Sequence, residues 1–322
     1  MATVLGIDVG GTKVAAAAVA DGRARHGVEH PTVLDGPDAL LDGIEVAVEE
    51  VTRRAGVPEA IGIGVPSQVD FATGTVRASV NIPLAGLPLR AELGRRFGVP
   101  VFVDNDANCA ALAEARVVPD APARHLVMLT LGTGVGGGVI VDGRIFRGAT
   151  GLGAELGHLV IDASSAGDAP AGEFPRPGSL EWICSGSGLE REATRRGREQ
   201  PATGLGRVLA ERGRVSGRDA DDLARGGDGS ALKLFAWHGR HLGIGIASVV
   251  NAFEPEYVVI GGGLSRAADL FLDTARAEAA EWALPALWER VSLRLAGAGA
   301  DAGVIGAGLL AAQELARSRD AS

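Results

Sequence analysis

Two glycine- and threonine-rich turns are the segments of this sequence best suited to hold phosphate groups. The first reads DVGGTK over residues 8–13, and the second reads GTG over residues 132–134. Each lies between two apolar runs, which predicts the turn of a β-hairpin. Backbone N–H and hydroxyl groups at such a tip point the same way, so they form a cradle for a phosphate. The candidate ligands are Gly10, Gly11, Thr12, Lys13, Thr133 and Gly134.

The carboxylate of Asp8 stands at the end of the apolar run that leads into the first turn. A carboxylate in this place is suited to hold Mg²⁺ through water. Residues 132–137 also match the G-x-G-x-x-G pattern of dinucleotide-binding folds, but that pattern must lead into a helix. Here an apolar run and an Asp-Gly turn follow, and neither turn contains the P-loop pattern. The two turns therefore favour ATP held by hairpins, with ordinary glycine hairpins as the alternative.

A third polar cluster, with the sequence DNDAN over residues 104–108, lies where a short apolar run meets an Ala-rich helical segment. Phosphoryl transfer to a hydroxyl group requires positioning, charge neutralisation and a base near the attacking oxygen. Asp106 at this junction is suited to be that base, but an aspartate is equally suited to cap the helix. The residues alone leave both roles open.

An imperfect internal repeat indicates how these segments are positioned. Residues 4–23 and 126–144 each contain an apolar run, a glycine and threonine turn, a second apolar run and an Asp-Gly-Arg turn. Two copies at so long a period indicate a duplicated domain rather than a solenoid. Strand-like and helix-like segments alternate in both halves, which predicts an α/β protein with mixed sheets. Helices are predicted at residues 39–55, 89–97, 107–115, 235–253 and 304–316, and strands at 61–65, 101–103 and 257–260.

Composition and charge argue against several classes of function. The 322 residues carry a formal charge of −9 with both signs interspersed, whereas a nucleic-acid-binding domain usually presents a basic face. A leader peptide and an apolar stretch of about 18 residues are both absent from the sequence, so neither secretion nor a membrane span is expected. Cys109 and Cys184 are expected to be reduced and buried in a cytoplasmic protein. His238 and His241 have metal-like spacing but are interpreted as part of a solvated helix face.

The chain resembles the ROK family of sugar kinases and repressors over nearly its whole length. The segments that carry the resemblance are residues 8–13, 62–70, 104–108, 130–138, 151–158, 178–181 and 251–264. The resemblance implies a two-lobed actin-like, ribonuclease H-like fold of duplicated α/β domains, with the active site in the cleft. The expected lobes are residues 1–115, with a C-terminal helix at 304–322 packing back on them, and residues 116–303.

The same resemblance implies an ATP-dependent kinase that phosphorylates the 6-hydroxyl group of a hexose, glucose above all, with Asp8 holding Mg²⁺ through water. Asp106 matches the catalytic base, and Asn105 beside it is expected to bind neighbouring hydroxyl groups. Gly262 and Gly263 match the adenosine motif. The other candidate sugar ligands are Asn81, Glu155, His158 and Glu181. Family members are commonly dimers or tetramers, so a homo-oligomer is expected.

One segment departs from the family pattern. Many members follow the histidine that matches His158 with C-x-C-G-x-x-G-C-L-E, and the three cysteines and the histidine bind zinc. Residues 172–181 read GEFPRPGSLE, so Gly172, Phe174 and Ser179 stand where the thiolates are expected. The sequence therefore predicts no structural zinc, and residues 162–178 are expected to be mobile or rebuilt around a different acceptor.

Several alternatives remain open from the sequence. The acceptor is glucose or, alternatively, an amino sugar of the glucosamine or kanosamine type or another hexose, and polyphosphate is an alternative donor. A sugar-responsive repressor would need a helix-turn-helix ahead of the first turn, which here begins at Asp8. A non-catalytic sugar-binding regulator would be expected to lack Asp106 or the glycine turns, and all of these are present.

Overall fold

The described part of the chain contains two five-stranded sheets, and their strands follow the same order. The computed structural model describes residues 3–117, 122–165 and 172–320. The strands of the first half are β1 (Val4–Val9), β2 (Lys13–Ala20), β3 (Arg23–Pro31), β4 (Ile61–Val65), β5 (Ser67–Asp70), β6 (Thr75–Ser79) and β7 (Val101–Asn105). Those of the second half are β8 (Leu126–Leu131), β9 (Val135–Val141), β10 (Arg144–Ile145), β11 (Tyr257–Gly261) and β12 (Ser292–Leu295).

The order of the strands confirms the internal repeat. The first sheet runs β3-β2-β1-β4-β7 and the second runs β10-β9-β8-β11-β12, while β5 and β6 form a separate hairpin. In the first sheet β1 pairs antiparallel with β2, and β2 with β3, whereas β1 pairs parallel with β4, and β4 with β7. In the second sheet β11 and β12 are likewise parallel. Each copy of the repeat therefore supplies the first strands of one mixed sheet.

Helices occupy most of the sequence between the strands. They are α1 (Pro37–Ala55), α2 (Leu89–Phe97), α3 (Asp106–Val117), α4 (Leu180–Cys184), α5 (Gly186–Glu199), α6 (Gly204–Arg212), α7 (Gly217–Arg225), α8 (Gly229–Phe253), α9 (Leu272–Trp282), α10 (Pro285–Trp288) and α11 (Ala302–Asp320). Every helix and strand predicted above is present, although several helices begin earlier than their apolar spacing indicates. Among the described helices, none is long and apolar enough to cross a membrane.

The chain divides into two compact units. One consists of Met1–Leu126, Gly138–Ala154 and Ala296–Ser322, and the other of Val127–Gly137 and Glu155–Leu295. The boundary predicted at residue 115 falls inside the first unit. The predicted C-terminal helix at 304–322 also falls in that unit, with residues 321–322 outside the described part of the chain. The lobe boundaries themselves stay a prediction.

The sheet of the first unit is covered on both faces, and β2 shows why. Successive side chains of a strand point to opposite faces. Alternate residues from Val14 to Ala18 join a buried cluster that includes the apolar side of α1. The residues between them, from Ala15 to Val19, join a second cluster with Val304 and other residues of α11. Residues 14–19 of β2 are therefore all buried.

Helix α11 lies directly against the backbone of the first sheet. A Cβ atom at Gly6 of β1 would lie 1.9 Å from the carbonyl oxygen of Val304, and one at Gly62 of β4 would lie 1.8 Å from that of Ala307. Real Cβ atoms do not approach oxygen so closely, so both positions require glycine for this packing. The two glycines bring the C-terminal helix onto the strands that end at the candidate site.

Candidate active site

The DNDAN segment forms the junction between β7 and α3, and Asn105 rather than Asp106 supplies most of the cap. Asn105 Oδ1 accepts the backbone N–H groups of Ala107 and Asn108, at 2.9 and 3.3 Å. The Asn105 amide also donates to the Ser67 carbonyl oxygen at 3.4 Å. Asp106 Oδ1 accepts the Ala107 N–H, at 2.8 Å. Because Asn105 caps the helix, the carboxylate of Asp106 retains acceptor positions for another hydrogen bond.

Burial raises the pKa of Asp106 above the usual aspartate value, and the backbone N–H of Ala107 opposes that rise. A carboxylate with a raised pKa is a better proton acceptor than a fully solvated one, which suits a general base.

The start of α3 at Asp106 packs closely on β4. A Cβ atom at Gly64 of β4 would lie 3.4 Å from the Asp106 Cα and 3.3 Å from the Cys109 sulfur. Gly64 therefore leaves α3 room to begin directly over the strand.

Asp8 shares this end of the first sheet with Asp106. Burial raises the pKa of Asp8 to about 6, the charge of Asp106 adds to the rise, and Lys13 opposes it. Two carboxylates that repel each other in a partly buried site are suited to share a cation, since its charge offsets the repulsion. Asp8 also lies beside the first turn of α11. A Cβ atom at Gly303 would lie 2.4 Å from Asp8 Oδ2.

The first glycine turn is closed by its own backbone and tied to the end of β3. Gly10 N–H donates to the Lys13 carbonyl oxygen at 2.8 Å. Thr32 donates its hydroxyl to the Gly10 carbonyl at 2.6 Å and its N–H to the Thr12 carbonyl at 3.0 Å. Asn81 lies near the tip, because a Cβ atom at Gly11 would be 3.8 Å from the Asn81 Cβ. The carbonyl groups of Gly10, Thr12 and Lys13, and the N–H of Gly10, are thus engaged within the protein.

Lys13 differs from the other residues of this turn. Its ammonium group pairs with Glu29 of β3 at 2.5 Å, and both side chains are about half exposed. Binding of ATP by the Lys13 ammonium group would compete with this surface ion pair. Such exposed pairs contribute at most about 1 kcal/mol, so opening one is inexpensive.

The second glycine turn lies in the other unit, where short helices hold it. Gly132 N–H donates to the Gly134 carbonyl at 2.9 Å, which closes the turn. At the start of α5, Gly186 N–H donates to the Gly132 carbonyl at 2.7 Å and the Ser187 hydroxyl to the Thr133 carbonyl at 2.9 Å. As in the first turn, the carbonyl groups are engaged by the protein.

The structure brings three predicted sugar ligands next to this second turn. Glu181, at the start of α4, accepts the Val135 N–H through Oε2 at 2.7 Å. Glu155 directly precedes the 3₁₀ turn Leu156–His158, and the His158 N–H donates to the Glu155 carbonyl at 3.1 Å. Residues three apart in a 3₁₀ turn lie on the same side. Glu155 precedes the turn and has non-helical backbone angles, so the face predicted to be shared by Glu155 and His158 stays a prediction. Both side chains are exposed.

Phe174, which replaces an expected thiolate, contacts the His158 ring. The two rings meet edge to face, with centroids 5.2 Å apart and planes at 73°. The neighbouring segment is paired at its ends, where the Ile161 N–H donates to the Gly178 carbonyl at 2.9 Å. Residues 166–171 of the predicted loop 162–178 lie outside the described residues. In the described residues no group of three or more His, Cys, Asp or Glu side chains is arranged to hold a metal ion.

Gly262 and Gly263 follow β11, beside the end of β8. Gly262 has φ 84°, and a Cβ atom there would lie 2.4 Å from the Leu131 carbonyl oxygen. Both observations require glycine at this position. At Gly263, by contrast, no described atom lies within 4 Å of a Cβ position. The adenosine motif therefore combines one glycine required by packing with one that borders open space.

Three residues near these candidates were not identified from the sequence as functional. Asp104 and Arg147 form a buried ion pair behind Asn105, with Arg147 Nε 2.6 Å from Asp104 Oδ2. Gly303 makes room for Asp8, as described above. Asp104 was visible as a member of DNDAN, but the sequence contains no signal that pairs it with Arg147.

The interpretation of His238 as part of a solvated helix face is wrong. His238 is completely buried, its ring lies against Phe271 with centroids 4.9 Å apart, and neither ring nitrogen has a hydrogen-bond partner among the described residues. The physical reason is that α9 covers this face of α8. A Cβ atom at the next residue, Gly239, would lie 2.6 Å from the Phe271 carbonyl oxygen.

Comparisons with known proteins agree along almost the whole chain. The sequence profile of the ROK family matches residues 4–314. Glucokinase from Halalkalibacterium halodurans is 33% identical over 316 residues, which cover 96% of this chain and 95% of the relative. The ROK hexokinase from Thermus thermophilus has a TM-score of 0.82 and 36% identity, covering 98% of this chain and 99% of that one. A ROK family glucokinase from Streptomyces griseus, solved with glucose and AMPPNP, has a TM-score of 0.74 and 32% identity, covering 97% and 99%.

These solved structures confirm the predicted fold class, duplicated α/β domains of the actin-like kind. The repeated strand order β3-β2-β1-β4-β7 and β10-β9-β8-β11-β12 is the internal evidence for the same conclusion. Profile, relatives and structures agree over a range that contains every candidate residue named above, and the chain belongs to the ROK family.

Proposed function

We propose that this protein transfers the γ-phosphoryl group of ATP to the 6-hydroxyl group of a hexose, with glucose as the first candidate acceptor. The observation that supports the proposal most directly is the environment of the Asp106 carboxylate. Its carboxylate is fixed at the start of α3, has a pKa raised by burial, and keeps acceptor positions free because Asn105 caps the helix. The glucokinases among its relatives support a hexose as the acceptor.

In this mechanism Asp106 accepts the proton of the attacking hydroxyl group, so that the oxygen can form its bond to phosphorus as the bond to the leaving ADP oxygen breaks. Asn105 is proposed to orient neighbouring hydroxyl groups of the sugar. Asn81, Glu155, His158 and Glu181 are the other proposed sugar ligands.

The two glycine turns are proposed to donate N–H groups to the phosphates, and Gly262 and Gly263 to border the nucleoside. The partly buried carboxylate of Asp8, with its raised pKa, fits a divalent cation held through water. Mg²⁺ at that position supplies charge neutralisation for the phosphates. ATP rather than polyphosphate as donor, assembly into a dimer or tetramer, and a cytoplasmic location stay predictions.

Replacing Asp106 by asparagine tests this function. We expect Asp106→Asn to lower kcat by about 10²–10⁴, the effect of losing a general base, while glucose still binds. The measurement is ADP release from Mg-ATP with glucose, together with glucose binding by calorimetry. Asp38→Asn is the matched control, because Asp38 also lies in the first turn of a helix, α1, and is exposed. Full turnover by Asp106→Asn would remove Asp106 from the mechanism.

The acceptor is established by the same assay on a panel of hexoses and amino sugars. Phe174 in contact with His158, where other members are expected to have a metal site, favours including glucosamine and kanosamine. Turnover on one sugar names the acceptor. Sugar binding without turnover on the whole panel would favour a non-catalytic regulator, and turnover with polyphosphate alone would change the donor.

A further inference from the structure

Glu181 is linked both to sugar binding and to the phosphate-binding turn, which the proposed mechanism treats separately. It is a proposed sugar ligand, yet its Oε2 atom accepts the N–H of Val135, the residue directly after the second glycine turn, at 2.7 Å. The turn is shaped around this carboxylate. A Cβ atom at Gly134 would lie 2.4 Å from Glu181 Oε2 and 3.1 Å from the carboxyl carbon. Any side chain at position 134 therefore displaces the Glu181 carboxylate.

Glu155 and His158, the other proposed sugar ligands of this unit, are joined by a segment that packs on Val135 and Glu181. Gly157 stands between Glu155 and His158, and a Cβ atom there would lie 2.2 Å from the Val135 carbonyl oxygen and 3.4 Å from the Glu181 Cβ. The 3₁₀ turn that carries Glu155 and His158 is thus in direct contact with both the glycine turn and Glu181. Gly132 on the opposite arm of the turn differs, since the nearest atom to a Cβ there is 3.9 Å away.

The Glu181 carboxylate has two oxygens with different surroundings. Oε2 is occupied by the Val135 N–H, and no described residue donates a hydrogen bond to Oε1. A carboxylate can accept on both oxygens at once. A sugar hydroxyl bound to Oε1 would therefore restrict the side chain that also holds the glycine turn.

We propose that Glu181 is a positioning residue for the second phosphate-binding turn in addition to a sugar ligand, and that it couples acceptor binding to phosphate binding. The proposal rests on the proposed kinase function. Coupling through one side chain must be reciprocal: if sugar favours the nucleotide-binding form of the turn, nucleotide favours the sugar-binding form of Glu181 to the same degree. Each ligand's affinity should therefore depend on residues assigned to the other.

The first experiment measures glucose binding without nucleotide. We expect Gly134→Ala, a change in the phosphate turn, to weaken glucose binding about tenfold or more, because it displaces a charged hydrogen-bonding group. Gly132→Ala is the matched control in the same turn, and we expect its glucose dissociation constant to stay within about twofold of wild type. Wild-type glucose affinity in a folded Gly134→Ala protein would overturn the proposal.

The second experiment measures AMPPNP binding without sugar. Glu181→Ala removes the acceptor for the Val135 N–H, so we expect about tenfold weaker nucleotide binding. Glu181→Gln keeps an oxygen that can accept this N–H, so we expect nucleotide binding within about twofold of wild type. A residue that is a sugar ligand alone would leave AMPPNP binding unchanged in both variants, and that result would overturn the proposal.

These outcomes separate the coupling from the function on which it rests. Circular dichroism and thermal unfolding of each variant identify a protein that has failed to fold. If wild type binds and phosphorylates a hexose but neither crossed effect appears, only the coupling is wrong. If wild type binds no hexose and no nucleotide, the proposed function fails and the coupling with it.

Discussion

Behind the proposed base, a single carboxylate organises three separate parts of the first unit. Asp104 is only 2% exposed, and its Oδ1 accepts from the Asn105 N–H and the Asn108 side-chain amide, both at 2.8 Å. Its Oδ2 accepts from Arg147 at 2.6 Å. The Arg147 guanidinium lies 3.6 Å from the centre of the Phe71 ring and 3.8 Å from Glu314 of α11. The position of Asn105 and Asp106 therefore depends on a network whose other members, Arg147, Phe71 and Glu314, are not among the proposed ligands.

Removing Arg147, the cation of this network, is expected to lower both the stability of the protein and its rate of catalysis. Arg147→Met leaves the Asp104 charge buried without its partner, which costs about 3–5 kcal/mol of unfolding free energy. Displacement of the DNDAN segment should also lower kcat more than it raises the KM for glucose. Urea unfolding and steady-state kinetics measure the two effects.

Arg77→Met is the matched control for that substitution. Arg77 pairs with Asp70, but its own side chain is 58% exposed, so we expect a loss of at most about 1 kcal/mol. The double variant Asp104→Asn with Arg147→Met should lose less than the sum of the single variants, because the two residues share one interaction. Equal stability of the Arg147→Met and Arg77→Met proteins would contradict this account of the network.

At the residue scale, the sequence identified candidate side chains but not the contacts that fix their positions. The types and spacing of DNDAN indicated chemistry at Asp106, since few residues can serve as a base there. The ion pair of Asp104 with Arg147 joins positions 43 residues apart, and nothing in a single sequence connects them. The contact between Phe174 and His158 was missed for the same reason, although the replacement of a thiolate marked the position.

At the element scale, the long helix α8 shows where periodicity misleads. Its predicted start was residue 235, but it begins at Gly229, where the Asp228 side chain accepts the N–H groups of Ser230 and Ala231. No helix start was predicted at the sequence DGS, although aspartate is a favoured N-cap. Large apolar residues such as Phe235 and Leu242 are buried on α8, but the burial of His238 was missed because glycines mark the part of the helix that meets α9. Gly239 and Gly243 were the available signal, since both allow α9 to approach closely.

His238 on that face should make the protein sensitive to mild acid. Burial, with a smaller contribution from His241, lowers the pKa of His238 from 6.5 to about 4. Between these values the unfolded chain binds a proton that the folded protein does not, so stability falls as pH decreases from 6.5 towards 4. The slope for one group is about 1.4 kcal/mol per pH unit.

Replacing His238 by leucine isolates this contribution. We expect His238→Leu to unfold at pH 7.5 with a free energy equal to or above that of wild type, because two unpaired ring nitrogens are removed. At pH 5 the variant should have gained about 2 kcal/mol relative to wild type, as measured by urea unfolding at both pH values. Parallel loss of stability in the two proteins would show that His238 does not titrate in this way.

At the scale of the whole molecule, the sequence predicted the duplication but not every segment that completes each copy. The repeated hairpins were visible because a strand, a glycine turn and a strand recur with the same closing Asp-Gly-Arg turn. That residues 138–154 pack with the first unit was not visible, because it depends on contacts distant in sequence. A Cβ atom at Gly138, for example, would lie 2.7 Å from the Ala111 Cβ of α3.

Helix α11 lies against the first sheet only because the strands beneath it contain glycine. The substitution Gly62→Ala tests this dependence. Gly62→Ala places a methyl group 1.8 Å from the Ala307 carbonyl oxygen, a backbone atom that cannot move without shifting α11. Overpacking costs about 1–3 kcal/mol, and a clash with a helix backbone belongs at the upper end or beyond it. We expect a loss of about 3 kcal/mol or more in urea unfolding, together with faster amide hydrogen exchange along α11.

Gly43→Ala is the matched control, because it makes the same chemical change in the middle of α1, where no described atom lies within 4 Å of the new methyl group. There alanine should stabilise the protein by about 0.5–1 kcal/mol, since glycine loses more backbone entropy in a helix. The two substitutions are thus expected to have opposite signs. If Gly62→Ala kept wild-type stability and slow exchange in α11, the helix would not depend on glycine to lie against the sheet. The link between the C-terminal helix and the strands that lead to Asp8 and Asp106 would then have to come from other contacts.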